Sequence, residues 1–244
     1  MPQTKIVFFD IDGTLIDMQA KKITPKMLET LHRLQDRGIK ICIATGRSPM
    51  VLPKIDGVAF DAYLTFNGSL CYDRKGVIFS NPIPHKDVVR FIQNAAALGR
   101  PVCVSTRGRL AANGTDTDLT DYFFIANEPV PVADDFDAVC AEDIYQLMLG
   151  CRPKDYPALL DGAPGAKIAA WWDRAVDVIP AGGGKGIGIE KMLAYYGLDK
   201  AEALAFGDGN NDREMLQAVG TGVAMENGSP ELKALADEIC GPVY

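Results

Sequence analysis

Four short apolar runs limit the fold of this chain more than any other feature, and they lie at residues 5–9, 39–44, 62–66 and 203–206. They are rich in β-branched side chains and lack the strict alternation of a half-exposed strand. Such runs are typical of strands buried on both faces, as in a parallel sheet. Between the first two runs, residues 24–37 carry a helical apolar stripe, with Thr24 as the N-cap candidate and Pro25 at the first helical position. This strand–helix–strand pattern returns late in the chain, and it predicts an α/β fold.

The middle of the chain breaks this pattern. After a hairpin with its turn at residues 73–76, short strand-like and helical stretches alternate, and prolines and glycines flank the region. A composition of this kind is typical of a separate α+β domain inserted into a parallel one. We therefore predict a discontinuous core at residues 1–82 and 182–244, with an inserted domain at residues 83–181. An insert of roughly 100 residues is long enough to have its own hydrophobic core.

Composition excludes several classes of partner. The 244 residues have a formal net charge of −7 and no run of Lys and Arg, which argues against nucleic acid. No apolar run approaches the roughly 20 residues of a membrane span, and the first residues lack a signal-peptide pattern, so we expect a cytoplasmic protein that does not bind membranes. We infer no obligate protein partner.

The cysteines are spread singly without a C-x-x-C pair, which predicts reduced thiols in the core: Cys42, Cys71, Cys103, Cys140, Cys151 and Cys240.

The sequence DIDGT at residues 10–14 is the strongest chemical signal, because it follows the first predicted strand directly. Ligands of an open α/β sheet bind at the carboxyl ends of its strands, so Asp10 and Asp12 are expected at the mouth of a crevice. Two aspartates separated by one residue can bind a hard cation while one of them attacks phosphorus. The alternative is an ordinary turn, since Asp and Gly are common turn residues.

Two weaker signals also lie next to predicted strands or helices. Thr45 and Gly46 follow the second strand and offer a hydroxyl and a backbone N–H to a phosphate oxygen, although Thr-Gly turns are also commonplace. Lys185 stands in a glycine run before a helix, where its positive charge could hold a phosphoryl group. This run is not a P-loop, because Gly186 takes the place of the required Ser or Thr.

The hexapeptide GDGNND at residues 207–212 places acidic side chains at the end of another strand. An EF-hand calcium loop counted from Asp208 would need Glu at its twelfth position, where this chain has Val219. The hexapeptide therefore favours a magnesium ion shared with a phosphate over a calcium loop.

Taken together and in this order, these motifs resemble those of the haloacid dehalogenase-like hydrolases. The position of the insert and the stretches ATGR, FNG, GDGNND and GVAMEN further resemble the Cof-type branch, subfamily IIB. The resemblance covers essentially the whole chain. It implies a Rossmannoid parallel-sheet core with an inserted, mobile α+β cap domain, which would close over a small phosphorylated metabolite and determine substrate choice.

The resemblance also implies a role for each matching residue. Asp10 would be the nucleophile and a Mg²⁺ ligand, and Asp12 would be the general acid and base, with its backbone carbonyl on the metal. Asp208 would complete the protein's metal ligands, and Asp212 would orient Lys185 or a water on the metal. The phosphoryl oxygens would be bound by Ile11 through its backbone N–H and by Thr45, Gly46, Lys185 and Asn211.

Several alternatives stay open on sequence alone. The runner-up function is a catalytically silent phospho-ligand-binding or regulatory protein on the same fold, although neither Asp10 nor Asp12 is missing. A phosphomutase is less compatible. The sugar mutases of this superfamily have their cap inserted soon after the first strand, and the loop at that place in this chain is too short for a domain. We expect sugar phosphates as substrates, while pyridoxal phosphate and flavin mononucleotide also fit. Side chains of the insert could contact the leaving group or form surface and sheet contacts: Arg107, Arg109, Trp171 and Trp172. Arg47 could reach substrate or pair with an acid, and we do not place it in the site.

Overall fold

The computed structural model describes residues 3–125, 127–170 and 172–244, which divide into two compact units. The first unit comprises the chain up to Arg47 together with Val51–Ser80 and Gly184–Tyr244, and the second comprises Ser48–Met50 and Asn81–Gly183. The junctions near residues 80 and 184 differ from the boundaries drawn from sequence by two residues each. That the second unit acts as a substrate-specifying cap stays a prediction.

The secondary structure of the described residues consists of short elements in mixed order. The strands β1 to β13 are Ile6–Phe9, Lys40–Ala44, Ala62–Thr65, Leu70–Asp73, Gly76–Ser80, Cys103–Ser105, Leu110–Ala112, Gln146–Gly150, Ala166–Ala169, Ala175–Pro180, Ala203–Gly207, Thr221–Met225 and Glu238–Cys240. The helices α1 to α8 are Pro25–Asp36, His85–Ala97, Thr117–Ile125, Phe136–Val139, Tyr156–Leu160, Lys185–Tyr196, Arg213–Gln217 and Pro230–Leu235.

The first unit contains an eight-stranded sheet in the order β13-β12-β11-β1-β2-β3-β4-β5. From β13 to β3 every neighbouring pair is parallel, and the hairpin β4–β5 adds two antiparallel strands at the edge. The predicted α/β fold with a largely parallel sheet is therefore confirmed, and the hairpin predicted to turn at residues 73–76 belongs to this unit.

Helices cover both faces of this sheet, which is why its central strands are uniformly apolar. In β1, Ile6 and Phe8 pack in a cluster with side chains of α6, α7 and α8, whereas Val7 and Phe9 pack in the opposite cluster with α1. None of these four side chains is more than 3% exposed. Burying one large apolar side chain stabilises the fold by about 1.5–3 kcal/mol, so a polar residue anywhere in β1 would be costly.

Helix α1 begins where the sequence predicts. Thr24 is extended, and its Oγ1 accepts a hydrogen bond from the backbone N–H of Met27 at 3.2 Å. Pro25 occupies the first turn, where its missing N–H leaves no bond unmade. Arg37 is the C-cap, and Gly38 follows it with φ +70°, a conformation that glycine adopts without strain.

The second unit is an α+β structure around a five-stranded antiparallel sheet in the order β7-β6-β8-β10-β9. One face carries the larger apolar cluster and packs against α2 and α5, and α3 lies against β8 and β10. Alternation explains the two faces, because Val104, Leu147 and Val178 belong to the larger cluster, while Cys103 and Met148 belong to the smaller one.

Three elements were not predicted from sequence: α4, α8 and β13. Each is short, with four, six and three residues. The start of α8 nevertheless has an ordinary signal, since Ser229 caps the helix and Pro230 follows it. Strand β13 pairs in parallel with β12 and extends the core sheet beyond the last strand that the apolar pattern indicates.

The cysteines are free thiols, as expected, and five of the six are buried. Cys240 is the exception to the predicted core placement, because it lies on the edge strand β13 and is partly exposed. Among the described residues, no helix combines the length and the apolar character that crossing a membrane requires.

Candidate active site

The predicted site residues follow strands that are neighbours in the sheet. Strands β11, β1 and β2 are adjacent and parallel, so their carboxyl ends lie on one edge. Asp208 follows β11, Asp10 follows β1 and Thr45 follows β2, while Lys185 is the first residue of α6. The topology therefore brings together side chains that are far apart in the sequence.

Lys185 and two carboxylates form a buried charge cluster. The Lys185 Nζ donates to Asp10 Oδ1 and to Asp212 Oδ1, each at 2.6 Å. The lysine side chain is 0% exposed, so these carboxylates must replace the water that the ammonium loses. Burial opposes the charge of Lys185, but the attraction of Asp10 and Asp212 outweighs it and raises the lysine pKa. Lys185 therefore carries a permanent positive charge within this cluster.

The carboxylates around Lys185 repel one another. Burial raises the pKa of Asp10, Lys185 opposes that rise, and the charges of Asp212 and Asp208 add to it. Burial, followed by the charge of Asp212, raises the pKa of Asp208 to about 6. The cluster thus combines three carboxylates with one ammonium, and its excess negative charge favours the binding of a cation.

Asp212 is occupied on both oxygens. Its Oδ1 accepts the Lys185 bond, and its Oδ2 accepts the backbone N–H groups of Asp208 at 3.0 Å and Gly209 at 2.9 Å. The carboxylate therefore fixes both the lysine and the loop that carries Asp208. This arrangement supports the orienting role implied for Asp212 better than direct metal ligation.

Asp10 and Asp208 fit a hard divalent cation. Oxygens of Asp10, Asp208 and Asp212 lie within 4.8 Å of one another. One oxygen of Asp10 accepts from Lys185, and one oxygen of Asp208 accepts from Thr14. Within the described part of the chain, the second oxygen of each carboxylate accepts no hydrogen bond. Carboxylate oxygens with unbalanced negative charge are what Mg²⁺ selects, and it needs few protein ligands because it retains water.

The glycine and threonine of the DIDGT motif also support Asp208. Gly13 has φ +83°, and a Cβ there would overlap the Asp208 carboxylate, so only glycine fits this position. Thr14 is buried, and its Oγ1 donates to Asp208 Oδ1 at 3.0 Å. Thr14 was not among the predicted site residues, although its place in the motif was a usable signal.

The predicted phosphate-binding residues lie at the same strand ends. Ile11 is buried, and its backbone N–H donates no backbone hydrogen bond within the described residues. The Oγ1 of Thr45 accepts the Arg47 N–H at 3.1 Å and retains its own proton to donate. Gly46 lies against the side chain of Asn67. These groups leave N–H and O–H donors at the edge of the sheet.

Asn211 is exposed, and its amide is directed to Asn67, which is not among the predicted site residues. Its Nδ2 donates to Asn67 Oδ1 at 3.2 Å. Asn67 is buried and follows β3, the next parallel strand after β2. The signal for Asn67 was its position after a predicted strand, within the stretch FNG.

Arg47, which is not among the predicted site residues, contacts the predicted acid and base, Asp12. Its Nε donates to Asp12 Oδ2 at 2.8 Å and its Nη2 donates to Asp12 Oδ1 at 2.6 Å. Nη1 donates to the carbonyl of Val51 at 3.0 Å, which anchors the guanidinium. Both Asp12 oxygens are therefore engaged by one planar group, and of the two fates open from sequence, pairing with an acid is the one observed.

Two of the candidate substrate-contacting residues of the second unit, Arg109 and Trp172, form local contacts. Arg109 makes a two-pronged exposed ion pair with Asp135, with distances of 2.6 and 2.5 Å. The guanidinium of Arg174 lies 5.1 Å from the ring centroid of Trp172. Trp171 lies outside the described residues. For Arg109, the structure agrees with the surface contact offered as the alternative.

Comparison with known proteins points to one family. The family model described as haloacid dehalogenase-like hydrolase matches residues 7–243. YkrA of Bacillus subtilis (strain 168), provisionally named a phosphatase, is 34% identical over 242 residues, covering 98% of this chain and 93% of that protein. The solved phosphatase BT1666 from Bacteroides thetaiotaomicron matches with a TM-score of 0.92 at 30% identity, covering 99% of this chain and 91% of that one. The subclass IIB sugar phosphatase BT4131 matches with a TM-score of 0.87 at 28% identity, covering 98% and 94%.

Proposed function

Because the chain belongs to the haloacid dehalogenase-like hydrolases and is a phosphatase of that superfamily, we propose that it hydrolyses monophosphates of small metabolites, preferably sugar phosphates, with Mg²⁺ and through an aspartyl-phosphate at Asp10. The observation that carries this proposal is the buried Asp10 carboxylate, held by Lys185 at a strand end next to Asp208. The similarity to BT4131, which is described as a sugar phosphatase, supports sugar phosphates as the substrate class.

The reaction has two steps. In the first, a carboxylate oxygen of Asp10 attacks phosphorus, the bond from phosphorus to the leaving oxygen breaks, and Asp12 gives that oxygen its proton. In the second, Asp12 takes a proton from water, the water oxygen attacks phosphorus, and the bond to Asp10 breaks. Inorganic phosphate leaves, and both aspartates return to their starting states.

The remaining groups position the phosphate and balance its charge. Lys185 supplies a fixed ammonium, while Ile11, Thr45, Gly46 and Asn211 supply donors to the phosphoryl oxygens. Asp10 and Asp208, with the backbone carbonyl of Asp12, would hold Mg²⁺, which neutralises phosphoryl charge as a Lewis acid when bound. The second unit would act as the cap that excludes water and selects the leaving group.

A substrate panel tests this function directly. Purified protein is assayed against sugar phosphates, pyridoxal phosphate, flavin mononucleotide, a phosphoserine peptide and phosphorylated DNA ends, with Mg²⁺ or with EDTA. We expect kcat/KM to be highest for sugar phosphates and to fall to background in EDTA. A profile confined to the peptide or the DNA ends would contradict the substrate class. Tight phosphate binding without any turnover would favour the silent binding protein instead.

Arg47 should matter most for leaving groups that need a proton. We expect Arg47→Ala to lower kcat/KM for an alkyl phosphate about tenfold or more. A protonated Asp12 can keep one of the two Arg47 bonds, through its carbonyl oxygen, while its O–H serves the leaving oxygen, and the variant loses the bond that orients the acid. The value for p-nitrophenyl phosphate should change little, since nitrophenolate leaves without a proton and kcat/KM reports formation of the intermediate. Steady-state kinetics on both substrates makes the comparison.

Two variants serve as controls for the Arg47 prediction. Arg47→Lys retains the charge but not the two-pronged contact, so it should restore only part of the alkyl phosphate rate. Arg90→Ala removes an exposed ion pair with Asp161 in the second unit, and it should alter neither substrate. An equal loss for both substrates in Arg47→Ala would contradict the positioning role.

Mg²⁺ should stabilise the protein more at high pH than at low pH. The pKa of Asp208 in the folded protein is about 6, above the ordinary value of 3.8. In metal-free protein this carboxylate therefore binds more protons folded than unfolded, so stability falls as pH rises through about 4 to 6. Mg²⁺ binds the ionised carboxylate of the folded protein and so offsets this loss. At a free Mg²⁺ concentration of 100 times its Kd, binding adds about 2.7 kcal/mol to the free energy of unfolding.

Thermal unfolding measures this linkage. Tm is recorded with MgCl₂ and with KCl of matched ionic strength, at about pH 5 and about pH 8. The rise in Tm with Mg²⁺ should be several degrees at the higher pH and small at the lower one. Asp208→Asn should remove it at both. A Tm shift that is equal at the two pH values, or that persists in Asp208→Asn, would contradict metal binding at this carboxylate.

A further inference from the structure

The turn after β3 has an unusual backbone. Phe66, Asn67 and Gly68 have φ values of +50°, +51° and +91°. Residues other than glycine rarely adopt positive φ. A bulky aromatic residue such as Phe66 does so only when its surroundings force it. All three residues are buried, and strained turns of this kind concentrate at functional sites.

Backbone contacts hold this turn in place from two sides. The N–H of Phe66 donates to the Arg47 carbonyl and the N–H of Asn67 donates to the Thr45 carbonyl, each at 3.0 Å. On the other side, a Cβ on Gly68 would overlap the Gly184 carbonyl and would lie 3.2 Å from the Lys185 Cα. The turn is therefore wedged between the loop after β2 and the start of α6.

The strained turn directs the Asn67 side chain toward two predicted phosphate-binding residues. Asn67 is only 4% exposed, and an added Cβ on Gly46 would lie 3.1 Å from its Nδ2 and 3.2 Å from its Oδ1. The same Oδ1 accepts the Asn211 Nδ2 at 3.2 Å. The buried amide thus restrains the exposed Asn211 before a ligand binds. Less rotamer freedom of Asn211 is then lost on binding.

We propose that Asn67 is a positioning residue of the phosphate site: the strained turn fixes its amide, and this amide orders Asn211 for the phosphoryl group. The inference rests on the proposed function for the role of Asn211. In this arrangement Asn67 sets the affinity for the phosphoryl group without touching it. The effect is common to all substrates, because every substrate carries the same phosphate.

Asn67→Gly is the cleanest deletion, because glycine adopts a φ of +51° without strain and only the amide is lost. With Mg²⁺ present, we expect the Kd for inorganic phosphate, measured by calorimetry, to rise about tenfold, the value of one strong hydrogen bond. KM should rise by a similar factor for all substrates, while kcat changes much less. Tm should change by only a few degrees, because relief of the positive φ offsets part of the lost side-chain contacts.

Two further variants make the test specific. Asn127→Gly is the matched control, because Asn127 also has positive φ, +59°, but is exposed in the second unit, and it should leave Kd and KM unchanged. If Asn67 acts through Asn211, the double variant Asn67→Gly with Asn211→Ala should bind phosphate no more weakly than Asn211→Ala alone.

The outcomes separate this inference from the proposed function. An unchanged phosphate Kd in Asn67→Gly would overturn the positioning role, and so would additive losses in the double variant. If Kd rises as expected but the wild-type protein turns over no phosphate ester, the positioning role stands and the phosphatase proposal fails.

Discussion

Asp10→Asn should abolish phosphatase turnover, lowering kcat by about 10⁴-fold or more, because the amide cannot attack phosphorus. The protein should remain folded. Burial already raises the pKa of Asp10, so a neutral side chain of the same shape removes a carboxylate that its neighbours Asp208 and Asp212 disfavour. Lys185 keeps its second partner, Asp212, at 2.6 Å. Steady-state rates and thermal unfolding of the same preparation measure both effects.

Asp12→Asn is the matched control for the nucleophile. With p-nitrophenyl phosphate, whose leaving group needs no proton, this variant should still release a burst of nitrophenolate, close to one equivalent per enzyme. Turnover should then slow by about 10²–10⁴-fold, because no base activates water for the second step. Asp10→Asn should give no burst at all. Near-normal rates in Asp10→Asn would mean that water attacks phosphorus directly.

Lys185→Met should affect both stability and activity. Removing one partner of a buried ion pair costs about 3–5 kcal/mol, and here two carboxylates, those of Asp10 and Asp212, lose the ammonium at once. We expect this loss in the free energy of unfolding near neutral pH. Turnover should fall by about 10²–10³-fold, because the lysine is a preorganised charge at the transferring phosphoryl group.

The stability defect of Lys185→Met should depend on pH. Lys185 lowers the pKa of Asp10 against the effect of burial, so without it this pKa rises further above its unfolded value. The folded variant then binds more protons than the unfolded chain, and the defect shrinks as pH falls from about 8 to about 5. Denaturant unfolding at several pH values measures the trend.

Lys191→Met on the same helix is the control for loss of a lysine. Lys191 is exposed, and its Nζ lies 5.6 Å from the ring centroid of Phe79. Its loss should cost less than about 1 kcal/mol at any pH. A pH-independent defect in Lys185→Met, or one no larger than that of Lys191→Met, would contradict the buried charge cluster.

The core of the fold could be predicted because its determinants are local. Apolar runs without alternation predict buried parallel strands, and β1, β2, β3 and β11 follow from that pattern within one or two residues. The positions of Asp10, Thr45 and Asp208 then follow from topology, since parallel strands end at one edge. Strand β13 has three residues and no apolar run, so nothing local indicates it.

The side chains that complete the site depend on contacts that no local pattern encodes. Asn67 meets Asn211 across 144 positions of sequence, and a turn with three positive φ values cannot be read from the letters FNG. Arg47 could have faced substrate or an acid, and only the fold settles that it pairs with Asp12. Sequence thus identifies the reacting groups more readily than the groups that orient them.

Trapping of the intermediate tests the central chemical step most directly. Asp12→Asn protein is mixed with p-nitrophenyl phosphate and Mg²⁺ and quenched in acid during the burst, and its peptides are analysed by mass spectrometry. A single added phosphoryl group should be found on Asp10, and borohydride reduction should convert that residue to homoserine. A burst of nitrophenolate with an unmodified Asp10, or with the phosphoryl group on another side chain, would contradict covalent catalysis by this carboxylate.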